Sequence, residues 1–349
     1  MNLDRISRLQ SKVAPGKYFF ISNLINVRYL TGFTGSNAAL LLSSTSATLA
    51  TDSRYEIQAR KQVSDLQTVI GRDFPELLLR QLPKSEVLVE GSNLSHNAYR
   101  SLSENFEHVF ISTSGVIEHL RVVKDNSEVQ LIKAACEIAT NAFLDVITNI
   151  KVGHSEKVIR NSLEQRMREL GADDVAFESI VASGANSAIP HHEPTDKPVQ
   201  NGDFLKIDFG AKLDGYHSDV TRTVVIGKPA DWQVDLHAAV TKAQLAGRNT
   251  IRADIQFKDV SQAVNQSLDE TRYLEHFTHG LGHGVGLQIH EDPFFGRVED
   301  AKIASNTVIT IEPGAYLNDK GGVRVEDTIV VDSQGYQNLT NLPYELLEL

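Results

Sequence analysis

Short apolar runs separated by Asn, Gly and Ser fill the first third of the chain: residues 18–33 (YFFISNLINVRYLTGF), 38–44 (AALLLSS) and 47–55 (ATLATDSRY). Runs of this length and bounding predict strands of an α/β unit. Residues 87–95 (VLVEGSNLS) and 108–114 (HVFISTS) predict two more. Before them, Leu3, Ile6 and Leu9 recur at helical spacing among charges. A first domain over residues 1–122 follows, with a second over 123–349. The second opens on a helix: Asp125 precedes Glu128 by three positions, and Val129, Ile132, Ala135, Ala139, Phe143 and Val146 continue at spacings of three and four.

Further along, the pattern predicts a helix over 158–170 ended by Gly171, a strand over 177–182, and helices over 231–248 and 258–274. The sharpest local signal is a hairpin over 203–226, two alternating runs around Lys212-Leu213-Asp214-Gly215. Residues 307–331 hold two more strands, split by Leu317-Asn318-Asp319-Lys320-Gly321-Gly322. The second half is therefore built on two strand-turn-strand units, a hint of internal duplication without a residue-level repeat.

Both units carry acids where a solvated surface is not expected. Asp208 and Asp219 lie in KIDFGAKLDGYHSDVTRT, Glu312 in TIEPG and Glu326 in GGVRVEDT, while His283 lies in THGLGHGVGLQIHE. Burying a lone carboxylate is costly unless something neutralises it. If the first hairpin turns at Leu213-Asp214, Asp208 stands opposite Asp219. If it turns at Asp214-Gly215, the two are diagonal neighbours on one face, so a single ion reaches both in either register. Arg324 and Glu326, two apart, share a strand face, and Val323 and Val325 share the other. Four carboxylates in one pocket repel at neutral pH, and two divalent cations cancel their charge. One imidazole among oxygen ligands suits Mn²⁺, Co²⁺, Zn²⁺ or Fe²⁺ and fits calcium poorly.

Histidines mark the remaining candidates. His279 and His283 are four apart, but Gly280 stands where the zincin helix needs Glu, and Gly280, Gly282, Gly284 and Gly286 disfavour a helix. An extended, closely approached backbone is expected there, with His283 as ligand and His279 behind it. His290 follows seven residues later. His191 and His192 follow Pro190 in the loop SGANSAIPHHEPTDKP, and chemistry alone does not choose between them.

Length and charge bound the rest. At 349 residues the chain exceeds the size at which one core keeps growing. A net charge of −11, spread without like-charged blocks, argues against nucleic acid or anionic membrane as partner. No phosphate-binding glycine loop is present, and the single Cys136 cannot form an internal disulfide. With no apolar run long enough for a signal peptide or membrane span, a cytoplasmic protein is expected.

These segments, in this order, resemble the pita-bread metallopeptidases, specifically the Xaa-Pro aminopeptidase and prolidase branch. NVRYLTGFTGSNAALLL and TDSRY resemble its small N-terminal α/β domain, and residues 126–349 its α+β pita-bread catalytic domain. The resemblance implies that Asp208 binds one metal, Asp219 and Glu326 bridge, and His283 with Glu312 bind the other. It implies His191 and His290 as catalytic histidines, with His192 a neighbour, Glu312 as proton carrier, and His279 and Arg324 beside the centre. Tyr216 and Arg297 are added as candidate substrate contacts, Arg297 or Arg324 for a proline carboxylate.

The expected activity is hydrolysis of the bond between an N-terminal residue and a following proline by a hydroxide held between two divalent ions, Mn²⁺ first among them. An Xaa-Pro aminopeptidase is favoured on the TGFTGS-type first domain, with a prolidase acting on Xaa-Pro dipeptides as the alternative. A non-catalytic peptide-binding module or a metal-free amidinohydrolase would need the ligand set to be broken. The resemblance further implies a homodimer, with the N-terminal domain serving substrate access and dimerisation.

Overall fold

In the computed structural model, which describes residues 2–349 apart from the side chains of Asn2 and Leu3, the chain divides into two units, one ending at Arg121 and one running from Val122 to Leu349. The first is a six-stranded sheet ordered 67–70, 47–51, 38–43, 18–21, 86–90, 109–113. Its core joins Phe20, Leu41, Val87, Val89 and Phe110. Ile6 and Leu9 are buried on the opening helix, Asn2–Gln10.

One segment read as strand is helical. Leu24–Thr31 is a helix because Asn23 caps it, its side chain accepting from the backbone N–H of Ile25 and Asn26, and Gly32 ends it in the left-handed region at φ 78°. These caps outweigh the β propensity of Ile25, Val27 and Tyr29.

Asp125 and Glu128 form a reciprocal capping box on the helix Asn126–Ile147. The expected strand over 177–182 is displaced to Ile180–Ser183, since the Ser179 N–H leaves the ladder to donate to Glu164 at 3.1 Å. The second of the later helices stops at Glu270, and Arg272 takes a left-handed φ of 65°.

The two hairpins are each backed by helices. Strands Phe204–Phe209 and Val220–Val225 pair antiparallel, and Ala211–Leu213 with Tyr216–His217 continue the same register to a turn at Asp214 and Gly215, with φ of 44° and 76°. Two positive φ values identify the tight hairpin turn whose twist matches its strands. The register is thus the one in which Asp208 and Asp219 are diagonal neighbours. In the second hairpin Val308–Ile311 pairs with Asp327–Val331, and Gly314–Leu317 with Gly321–Arg324. That register, carried across the two intervening residues, sets Glu312 opposite Glu326.

Alternation does the sorting. Leu205, Ile207, Phe209, Val220 and Val224 enter a core with Phe143, Leu163 and Met167 of two helices. Ile309, Ile311, Ile329 and Val331 enter a second core with Ala243, Val260, Val264 and Leu268 of two others. The residues between them, Asp208, Thr221, Thr310, Glu312, Glu326 and Thr328, therefore face away from both helical layers. No helix among the described residues is long and apolar enough to cross a membrane.

Candidate metal centre

The hairpins meet at an isolated antiparallel bridge between Thr221 and Glu326. The Glu326 N–H donates to the Thr221 carbonyl at 3.1 Å, and the Thr221 hydroxyl donates to Glu326 Oε2 at 2.6 Å. This seam brings Asp208, Asp219 and Glu326 so close that one ligand atom of each lies within 4.8 Å of the others, and the same holds for His283, Glu312 and Glu326. His283 arrives on the short strand His283–Gly284. Glycine is required beside it: a Cβ on Gly282 would stand 2.2 Å from the Thr310 carbonyl oxygen. The Nδ1–H of His283 is assigned to the Gly284 carbonyl at 3.1 Å, which leaves the Nε2 lone pair 3.5 Å from Asp219 Oδ2 and 3.5 Å from Glu312 Oε1.

Arg324 organises one wall. Its guanidinium donates to Asp208 Oδ2, to the Tyr316 hydroxyl at 2.9 Å, to the Thr221 hydroxyl at 3.1 Å and to the Pro190 carbonyl at 3.2 Å. Tyr316 in turn donates to His279 Nε2 at 2.9 Å. With Oδ2 taken by Arg324, the other Asp208 oxygen, Oδ1, is buried without a hydrogen-bond partner. A buried carboxylate oxygen lacking a donor is unusual and here marks where a cation fits.

Electrostatics agree. Burial first, then repulsion from Glu326, Asp208 and Glu312, pushes the Asp219 carboxyl well above its ordinary range. Burial and the charges of Glu312 and Asp208 do the same to Glu326, and burial raises Glu312 to about 7. Burial, with His290 adding to it, lowers His283 to about 4, so its imidazole is neutral and ligand-competent at pH 7. The donor set of four carboxylates and one neutral imidazole fits two divalent ions.

The surrounding cleft has a volume of about 620 Å³. Residues 130–333 match the family described as metallopeptidase family M24, and residues 5–123 match the Creatinase/Prolidase N-terminal domain. The chain belongs to metallopeptidase family M24. The Xaa-Pro dipeptidase of Pyrococcus furiosus is 34% identical over 94% of each chain. Among solved structures, an Xaa-Pro dipeptidase from Bacillus anthracis superposes with a TM-score of 0.96 at 36% identity over the whole of both chains. An X-Pro aminopeptidase from Thermotoga maritima superposes at 0.91 with 37% identity, covering 98% of this chain and 100% of that one. The second unit of this M24 metallopeptidase is accordingly a pita-bread domain, and the first a creatinase-type N-terminal domain.

Of the residues singled out from the sequence, His191, His279, His290, Arg297, Arg324 and all five ligand candidates line this metallopeptidase's cleft. Tyr216 does not. Its hydroxyl donates to Glu128 at 3.0 Å, because its strand runs back against the helix Asn126–Ile147 rather than toward the centre. The two adjacent histidines both border the cleft but differ in burial: His191 is exposed, whereas His192 is buried with Nε2 2.8 Å from Glu156.

Glu156 and Lys206 were missed. Glu156 is fully buried and accepts from Ser183, Asn186, His192 and Thr195, tying down both ends of the histidine loop. Burial opposes its charge, but these hydrogen bonds win and hold its carboxyl at about 2. Lys206, also buried, donates through Nζ to the carbonyls of Ser187, Ile189 and Pro190 at 3.1, 2.6 and 3.2 Å. The only signal for Lys206 was the oddity that exposed Asp208, a charge inside the apolar run FLKIDF. For Glu156, next to Ser155 at a helix start, there was none.

Proposed function

We propose that this M24 metallopeptidase is a dinuclear Xaa-Pro dipeptidase that hydrolyses the bond between an N-terminal residue and a C-terminal proline. Asp208 would hold one ion, His283 with Glu312 the other, and Asp219 and Glu326 both, with Mn²⁺ the expected metal and Co²⁺, Zn²⁺ or Fe²⁺ as alternatives. When bound, such ions polarise a carbonyl and lower the pKa of water.

The protein's own groups supply the rest. Partial burial lowers the pKa of His191 and of His290, Arg324 adding to the effect at His191, so both are neutral at pH 7 and present an N–H to developing oxyanion charge. Glu312 is the proton carrier between water and the departing proline nitrogen: Oε1 faces His283, and Oε2 lies 4.0 Å from His279 Nδ1. Phe177, Ile180, Phe294 and Phe295 offer an apolar wall to the pyrrolidine ring. That ring brings no N–H to the scissile bond, so shape must recognise it.

Arg297 carries the choice of a dipeptide. It is exposed on the cleft, stacks on Phe294 with its guanidinium carbon 4.4 Å from the ring centroid, and forms no ion pair among the described residues. An unpaired guanidinium in a cleft otherwise rich in acids suits a free carboxylate. The likeness to the Thermotoga enzyme supports a second reading, an Xaa-Pro aminopeptidase acting on longer peptides. Rates on Xaa-Pro and Xaa-Pro-Xaa peptides with Mn²⁺ or Co²⁺ separate the two. The dipeptidase reading expects strong preference for Xaa-Pro, and Arg297→Ala raising KM by roughly 10- to 100-fold for the loss of one charge-assisted contact. Equal kcat/KM on both peptides overturns it.

A further inference from the structure

We infer that His290 is a conditional metal ligand, engaged by an ion that favours nitrogen and left free by one that favours oxygen. The inference rests on the metal centre described above and adds a residue to it. Ligating atoms of Asp219, His283 and His290 all lie within 4.8 Å of one another. This set shares two members with the proposed centre, so an ion seated there is already at the edge of reach of a second imidazole.

The two rings meet edge to face, centroids 4.3 Å apart at 84°. They differ in freedom. His283 is buried, with Nδ1 committed to the Gly284 carbonyl at 3.1 Å, whereas His290 is exposed and its ring nitrogens have no hydrogen-bond partner among the described residues. Its backbone is nevertheless anchored, because the next residue, Glu291, is buried and paired with buried Lys124 at 2.7 Å. A fixed backbone with an untethered imidazole confines His290 to the cleft yet lets it rotate toward the ion.

Chemistry then discriminates. His290 would give the ion held by Asp219, His283, Glu312 and Glu326 a second nitrogen, a donor type that zinc favours. Manganese is at home with carboxylate oxygens and gains little from the second nitrogen. Zinc therefore recruits His290 and takes it from the substrate. Manganese leaves it available.

The test measures binding and coordination rather than turnover. Zn²⁺ and Mn²⁺ affinities are determined by competition titration on the full chain and on His290→Ala and His290→Gln. Zinc affinity should fall at least about tenfold in both variants while manganese affinity stays within about twofold. Zinc-edge X-ray absorption of the unaltered protein should show two imidazoles on an ion, where the centre without His290 provides one. This measurement stands even if a variant fails to fold. One imidazole per centre, or equal loss of both metals in the variants, overturns the assignment while leaving the centre intact. Failure of the unaltered protein to bind either metal overturns the centre as well.

Discussion

Glu312→Gln should stabilise the metal-free protein while destroying its metal site, and the size of the gain should depend on pH. In the chelated wild type, burial raises the Glu312 carboxyl from 4.5 to about 7. A raised carboxyl binds its proton more tightly in the folded state, so the wild type keeps that stabilisation below about pH 4.5. The contribution is lost as pH climbs through 7. Glutamine has no proton to lose. Between pH 5 and 8.5 the stability of the variant relative to wild type should rise by roughly 2 to 3 kcal/mol, because a carboxyl raised from 4.5 to about 7 changes stability by about 1.4 kcal/mol for each pH step between those values, slightly reduced by the finite window. For a domain of this size that is roughly 5 to 10 °C in Tm. The histidines whose pKa values are lowered, His279 and His283 among them, favour stability with rising pH. They are present in both proteins, so their effect largely cancels in the difference. The assay is thermal unfolding of both proteins in chelator at several pH values, repeated with Mn²⁺, where only the wild type should gain. A Tm difference in chelator that stays constant from pH 5 to 8.5 would refute the desolvated, cation-starved carboxylate.

Three further outcomes are expected. Asp219→Ala should remove both bound metal, counted by elemental analysis, and peptide hydrolysis, since this carboxylate belongs to two of the close ligand sets; full metal content with retained turnover would contradict the centre. Lys206→Met should lower kcat by about tenfold or more through the loop that presents His191, and in a double-mutant cycle with His191→Ala the losses should be far from additive, while independent losses would make Lys206 a fold residue only. Tyr216→Phe should leave KM unchanged and cost about 1 to 2 kcal/mol in denaturant unfolding, because its hydroxyl serves the buried Glu128 and not the cleft. A raised KM would return Tyr216 to the substrate site.

How far residue pattern alone carries depends on whether a signal is local. Asp208, Asp219, Glu312 and Glu326 stood out because alternation places each beside apolar neighbours, and a two-residue periodicity is preserved whichever turn closes the hairpin. The turn itself, at Asp214-Gly215, was one of two admissible registers until the positive φ values at both residues selected it. His191 could not be told from His192 because their difference is Glu156, 35 residues or more upstream of both and visible only once the fold packs the helix Glu156–Glu169 under the loop. Tyr216 misled for the converse reason: it sits between two ligands in sequence, yet its ring points to a helix. The β-branched content of Leu24–Thr31 favours an extended segment, and the Asn23 and Gly32 caps override it.

The strands that carry the acids are enclosed on both sides, with greasy side chains on one surface and ion-facing ones on the other. A deletion of one residue within Phe204–Phe209 would therefore exchange the two, turning Ile207 or Phe209 toward the cations and sending Asp208 among Phe143 and Leu163. Length variation in this hairpin is tolerable only at its tip, near Asp214, where the chain reverses beyond the last enclosed pair. Lineages that gain or lose residues here should do so at that corner and nowhere along the paired segments.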